Sequence, residues 1–209
     1  DELAEDFARR KSAKPAFKGY MGYPFSLCTS INEEVVHGLP SKRALVEGDI
    51  ISLDFGVYYQ GYYGDAAITV PVGRVSEGAA RLLAITEQGL YEGIREAKAG
   101  NRLGNISYAV QSLVESAGFS VVRDFVGHGI GRKLHEDPQI PNFGVQGRGI
   151  QLKAGMVLAI EPMVNEGTYK VQVMSDAWTV VTEDVKLSAH FEHSVAITEN
   201  GPDILSKLH

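Results

Sequence analysis

One cysteine, Cys28, stands in 209 residues, so no disulfide can form within the chain. That scarcity fits a reducing compartment, and a cytoplasmic location is the expectation. No stretch approaches the roughly 20 consecutive apolar residues that a membrane-spanning helix needs, so no membrane partner is expected. Residues 1–14 are charged and contain no apolar core of a secretory signal. They open abruptly in a helical pattern, and further residues are expected upstream of Asp1. Basic residues are not in excess: 20 Lys and Arg face 26 Asp and Glu, a net charge of −6. That balance argues against a broad basic face, and no direct sequence-specific nucleic-acid partner is expected. The apolar fraction, 44%, is ample for a packed core, and one catalytic domain over residues 1–209 is expected.

What is there is organised around residues 50–57, Ile-Ile-Ser-Leu-Asp-Phe-Gly-Val. β-branched and aromatic residues between turn signals predict a strand with one carboxylate, Asp54, in its middle. After a turn-rich stretch, Tyr58 to Gly64, Asp65 opens a second apolar run, Ala66 to Val70. Two strands joined by a Gly-rich turn set two carboxylates side by side. Like charges in an apolar place need a cation or must share a proton.

The remaining elements follow from periodicity and punctuation. A charged surface helix is expected from Asp1 to Ser12, with Leu3 and Phe7 as its apolar residues, ended by Lys14-Pro15. Residues 17–30 read as a Gly- and Tyr-rich loop running into a short strand, and His37 precedes a Gly-Leu-Pro turn. Helical spacing of Ala79, Leu82, Leu83, Thr86, Leu90, Ile94 and Ala97 predicts a helix over 76–99, capped by Ser76 and closed by Gly100. A second helix is predicted over about 103–117, carrying Ile106, Val110 and Val114 and stopping at Gly118. Phe119 to Val126 reads as a strand. It leads into a loop, Gly127-His128-Gly129-Ile130-Gly131, whose glycines allow a close backbone approach. No Lys-Ser/Thr follows, so a phosphate loop is not indicated. Residues 138–153 read as loop. Met156 to Ile160 is a buried strand ended by Glu161-Pro162. Residues 170–174 and 177–182 read as the strands of a hairpin around Ser175-Asp176 that carries the single Trp, Trp178, and the last strand is expected to run from His190 to Thr198 through Glu192.

Two stretches echo each other. Residues 47–54 align with 154–161, and Asp65 to Thr69 aligns with Glu192 to Ala196. The echo predicts two βαβ-like halves about a pseudo-twofold axis, with their carboxylates meeting between them. The candidates are then Asp54, Asp65, His128, Glu161 and Glu192. Oxygen-rich donors with one imidazole suit Mn²⁺, Fe²⁺, Co²⁺ or Zn²⁺. Four negative charges exceed what one divalent ion neutralises, so two are expected. Two ions about 3.5–4 Å apart can share a water and lower its pKa.

The pieces from Gly19-Tyr20 to Pro40, Asp54 with Asp65, Gly127 to Gly131 with His135-Glu136, Glu161-Pro162 and Phe191-Glu192-His193 carry a resemblance. In this order and at these separations the chain resembles the type I methionine aminopeptidases. The resemblance implies the α+β pita-bread fold: two pseudo-symmetric halves, a central curved antiparallel sheet and helices on its outer face. It implies metal-dependent removal of initiator methionine when the next residue is small. It assigns Asp54 to one ion, Asp65 and Glu192 to both, and His128 with Glu161 to the other, Glu161 doubling as proton acceptor. His37 and His135 would bind the substrate peptide and the reacting carbonyl oxygen. Tyr20, Tyr23, Cys28, Leu134 and Trp178 would line the methionine pocket. Phe17 and Leu134 depart from the family's common choices at those positions, a small residue and Phe. No long insertion separates His128 from Glu161, which favours type I over type II. The implied partners are nascent polypeptide N-termini, with ribosome docking left open, and a monomer is expected. Two other readings are an X-Pro dipeptidase or aminopeptidase of related fold and a non-catalytic module on that fold.

Overall fold

The computed structural model describes residues 1–207. Its centre is an eight-stranded sheet: β1 (Cys28–Ile31), β2 (Ile50–Asp54), β3 (Ala66–Pro71), β4 (Val126–Gly129), β5 (Glu136–Pro141), β6 (Val157–Ile160), β7 (Glu192–Thr198) and β8 (Gly201–Ile204). The spatial order is β5-β4-β6-β7-β3-β2-β1, with β8 also on β7, and every pairing is antiparallel. The halves are therefore not built on the expected βαβ crossovers, which would lay strands parallel. The echo survives in another form. β3 and β7 meet at the centre through Ala66 opposite His193 and Ala67 opposite Glu192, with β2 and β6 flanking them.

Helix α1 spans Glu2–Arg10, α2 Glu77–Glu96 and α3 Leu103–Ser116. The apolar stripes of α2 and α3 cover the outer face of the sheet. Leu82, Leu90, Ile94, Ile106, Val110 and Val114 pack with Leu158, Ile160, Val195 and Ile197. Along β6 and β7 these inner residues alternate with Ala159, Glu192 and Ser194, which turn to the opposite face. Ser76 caps α2 by accepting the Ala79 N–H. The helix stops at Glu96 rather than running to Gly100. The chain peels away so that Gly100 can donate to the Leu152 carbonyl. On α1 the buried residues are Glu5 and Ala8, while Leu3 and Phe7 are exposed. Glu5 is turned inward because Lys18 and the Ser26 hydroxyl bind its carboxylate there.

Several boundaries differ from the sequence pattern. The central strand ends at Asp54, not at Val57. Gly56 turns its carbonyl to the Ala16 N–H, and Val57–Tyr59 joins a small sheet with Lys14–Pro15 and Tyr62–Gly64. The stretch expected as a turn is thus a hairpin, turning at Gln60 and Gly61, both at positive φ. The strand expected from Phe119 to Val126 breaks at a bend at Arg123–Asp124, and His128 lies in β4 rather than in a loop. β5 runs into the segment expected as loop, as far as Pro141. Pro138, which has no N–H to offer, falls in the irregularity between Glu136 and Gln139 where no ladder bond is needed. Ser188–His190 leaves the last strand at Phe191 and pairs with Met163–Asn165 in a separate sheet.

Candidate active site

Antiparallel partners point to the same face of a sheet. One transverse row of the central sheet reads Cys28 opposite Asp54, Asp54 opposite Ala67, and Ala67 opposite Glu192. Ile160 lies opposite His193, so Glu161, one residue on, reaches the level of Glu192. Ala159 lies opposite His128. Register alone therefore brings Asp54, Glu161, Glu192 and His128 to the face away from α2 and α3. Asp65 is fastened beside them. Its N–H donates to the Ser194 hydroxyl at 2.9 Å, and that hydroxyl donates back to the Asp65 carbonyl at 2.8 Å.

The glycines flanking His128 serve a packing role. A Cβ on Gly127 would lie 2.4 Å from the Ala159 carbonyl oxygen, and one on Gly129 would lie 2.3 Å from that of Asp137. Only a residue without a side chain lets β4 pass between β5 and β6 at this closeness. His128 itself is oriented by its own backbone neighbour: Nδ1 donates to the Gly129 carbonyl at 2.9 Å. A carbonyl only accepts, so in the neutral ring the proton is on Nδ1 and the Nε2 lone pair faces the carboxylates. Ligand atoms of Asp65, His128 and Glu192 all lie within 4.8 Å of one another.

The electrostatics of this cluster call for a cation. Burial raises the Asp54 carboxyl, and Glu161 raises it further against a lowering by His190, to a pKa of about 7. Burial, then the Asp54 and Glu161 charges, hold Asp65 well above the usual carboxylate range. Glu192 is raised in the same direction by burial and then by Asp65. Among the described residues, Asp54 Oδ1 and Glu192 Oε1 are buried without a hydrogen-bond partner. Acceptors left unpaired in an apolar setting, beside an unprotonated imidazole nitrogen, fit a divalent metal centre.

These groups form the floor of a cavity of about 270 Å³. All the residues expected from the sequence line it: Tyr20, Tyr23, Cys28, His37, Leu134, His135 and Trp178, together with Asp54, Asp65, His128, Glu161 and Glu192. Tyr23 stands edge-on to Trp178, ring centroids 5.0 Å apart. The Cys28 thiol is pushed well up by burial and then by Asp54, so it is an inert wall group. His37 adopts a positive φ of 59° and packs edge-on to Phe125. Burial lowers its pKa, and it is neutral at pH 7. His135 stands at the mouth, its Nδ1 2.8 Å from the Tyr20 hydroxyl. The surrounding wall and then His128 hold it well below the usual imidazole value. Phe17 and Leu134 belong to one apolar cluster with Tyr20 and Ile130, so the larger side chain and the smaller one sit in the same wall.

Sequence reasoning missed His190. It is 1% exposed, and its Nε2 lies 3.4 Å from Glu161 Oε2. It looked like one more strand residue beside Glu192, and nothing in its spacing marked it. Val36, Phe125 and Met163 also line the cavity. Their apolar side chains carry no chemical signature.

Comparisons with known proteins point to one family. The model of metallopeptidase family M24 matches residues 1–199. A methionine aminopeptidase of Clostridium acetobutylicum is 58% identical over 99% of this chain and 83% of its own. Methionine aminopeptidase 1 of Bacillus subtilis is 56% identical over 100% of this chain and 84% of its own. The crystal structure of a methionine aminopeptidase from Thermotoga maritima superposes with a TM-score of 0.96 at 54% identity, covering 97% of this chain and 82% of that one. A prolidase from Pyrococcus horikoshii shares the fold, with a TM-score of 0.71 at 22% identity over 88% of this chain and 48% of its own.

Proposed function

From the premise that this chain belongs to metallopeptidase family M24, we propose that it removes the N-terminal methionine of polypeptides in a metal-dependent hydrolysis, preferring a small second residue. The observation that carries the reading is the meeting of Asp54, Asp65, His128, Glu161 and Glu192 on the floor of one cavity walled by apolar and aromatic side chains. Asp54 would hold one divalent ion, His128 and Glu161 would hold a second, and Asp65 and Glu192 would serve both. Co, Mn, Fe or Zn suits this donor set. When bound, the ions supply Lewis-acid polarisation of the scissile carbonyl and bring the pKa of an attacking water towards neutrality.

The chain's own residues do the rest. Glu161 accepts the proton released as water attacks. A Tyr20 hydroxyl that donates to His135 Nδ1 leaves Nε2 as the N–H donor at the cavity mouth. His135 and the neutral His37 hydrogen-bond the substrate peptide and the carbonyl oxygen as charge develops on it. Tyr23, Cys28, Leu134 and Trp178 receive the methionine side chain, whose flexible thioether adapts to an apolar slot. The substrates are nascent polypeptide N-termini, met by a monomeric single-domain enzyme in the cytoplasm, and docking on the ribosome would deliver them. Among the described residues no helix is long and apolar enough to cross a membrane.

The test is hydrolysis of Met-Ala-Ser by protein reconstituted with Mn²⁺ or Co²⁺. Release of methionine is expected, and Asp54→Asn and Glu192→Gln should lose metal and activity together. Failure with every divalent metal would overturn the reading. Cleavage of X-Pro peptides without cleavage of Met-Ala-Ser would move the chain to the dipeptidase branch of the fold.

A further inference from the structure

Among the described residues, three buried side-chain atoms have no hydrogen-bond partner: Asp54 Oδ1, Glu192 Oε1 and His190 Nε2. The first two are ligand candidates. The third belongs to a residue outside the cavity lining, yet it lies against Glu161. The Glu161 Oε2 atom lies 3.4 Å from it, longer than the usual N–H···O length of about 2.9 Å. The other oxygen of that carboxylate, Oε1, lies 3.6 Å from His128 Nε2. Glu161 is therefore bracketed by two imidazoles, one at each oxygen.

The two imidazoles are held differently. His128 has its Nδ1 proton on a carbonyl and offers a lone pair. His190 is fixed through its backbone. Its N–H donates to Thr69 Oγ1 at 2.8 Å, and Thr69 Oγ1 donates its single proton to the His190 carbonyl at 2.7 Å. Thr69 has no second proton, so the Ser52 hydroxyl, 2.8 Å away, must be the donor of that pair. On its other side His190 is paired with Met163. This network fixes the backbone that carries the ring beside Glu161.

We propose that His190 is a positioning residue for Glu161. Nε2–H, 3.4 Å from Oε2, attracts that oxygen and so keeps Oε1 turned towards His128, with which Glu161 would hold an ion. The inference rests on the assignment of Glu161 given above, and it adds a residue that acts on the reaction only through that carboxylate. Partners that orient a metal-binding carboxylate are typically worth about 10–100-fold in metal affinity or activity.

The experiment uses the whole chain, with Mn²⁺ as probe and Met-Ala-Ser as substrate. His190→Leu fills the same space without a donor; His190→Gln keeps one. His190→Leu is expected to lower kcat by about 10-fold or more with KM within about twofold, and to weaken calorimetric Mn²⁺ binding by a similar factor. His190→Gln is expected to recover most of both. In a Glu161→Gln background, His190→Leu should change Mn²⁺ affinity by less than about twofold, because the residue it acts through is already altered. Thermal midpoints in chelator report whether the variants fold. Wild-type kcat and Mn²⁺ affinity in His190→Leu would overturn the proposal. So would a His190→Gln variant as impaired as His190→Leu while both melt like wild type, or a full additional loss in the Glu161→Gln background. Wild-type protein that fails to cleave Met-Ala-Ser would instead count against the proposed function, and the Mn²⁺ cycle would still decide the role of His190.

Discussion

In the metal-free protein the carboxylate cluster should be a liability, and removing one of its charges should stabilise the fold. Asp54 is the place to test this. Its pKa is raised from an ordinary 3.8 to about 7, first by burial. A carboxyl raised in the native state binds its proton more tightly there than in the unfolded chain. Its favourable contribution is therefore complete below about pH 4 and is lost as pH climbs through about 7. A shift of about three units corresponds to a ceiling of about 4 kcal/mol at pH 8. Water on the cavity side of this half-buried group screens part of that, and about 2 kcal/mol is the working figure. Asp54→Asn keeps the shape and removes the charge. In chelator at pH 8 it should melt about 4–8 °C above wild type, with the gain shrinking steadily towards pH 5. With saturating Mn²⁺ the order should invert, because wild type gains stability by binding and the variant binds weakly. Differential scanning calorimetry across pH, with and without Mn²⁺, measures all of this. A chelated variant that melts below wild type at pH 8, or a gain equal at pH 5 and pH 8, would refute the argument that uncompensated charge strains this site.

Two other substitutions probe the scaffold. Gly129→Ala would place a Cβ 2.3 Å from the Asp137 carbonyl oxygen, so β4 and β5 must part. A loss of about 1–3 kcal/mol in urea unfolding is expected, together with a larger fall in Met-Ala-Ser cleavage because His128 is displaced. Thr69→Val removes the hydroxyl that serves the His190 N–H, the His190 carbonyl and the Ser52 hydroxyl. Leaving these groups unpaired should cost about 2–3 kcal/mol, read as a fall of about 4–12 °C in thermal midpoint.

The parts of this molecule that were readable in sequence are those where local chemistry and environment conflict. Asp54 and Glu161 announce themselves because an ionised group in an apolar strand is costly. The stripes of α2 and α3 announce themselves because a buried helix face must repeat at helical spacing. The parts that were unreadable depend on partners far along the chain. β5 carries Pro138 and Pro141, which look like loop residues until the ladder with β4 shows that Pro138 sits at an irregularity. His190 is made important by Thr69, 121 residues away, and by its pairing with Met163. The internal echo was legible as a repeat of carboxylates. Its geometry was not, since all-antiparallel pairing is a property of the folded sheet.

The central ladder explains why buried hydroxyls occur where Val or Ile would pack as well. β3 and β7 join through only two residue pairs, Ala66 with His193 and Ala67 with Glu192. Asp65 and Glu192 repel each other across that junction. A slip of one residue would send Glu192 to the face occupied by α2 and α3. So short a ladder, with repulsion built into it, needs a pin. Ser194 supplies one by bonding both backbone groups of Asp65, 129 residues away. Ser194→Ala should therefore do two things at once. In chelator it should destabilise by about 1–3 kcal/mol, since both buried backbone groups lose their partner. It should also weaken Mn²⁺ binding, since Asp65 and Glu192 are no longer held in step. A measured loss of stability with Mn²⁺ affinity unchanged would mean that Ser194 supports the fold without setting the register on which the site depends.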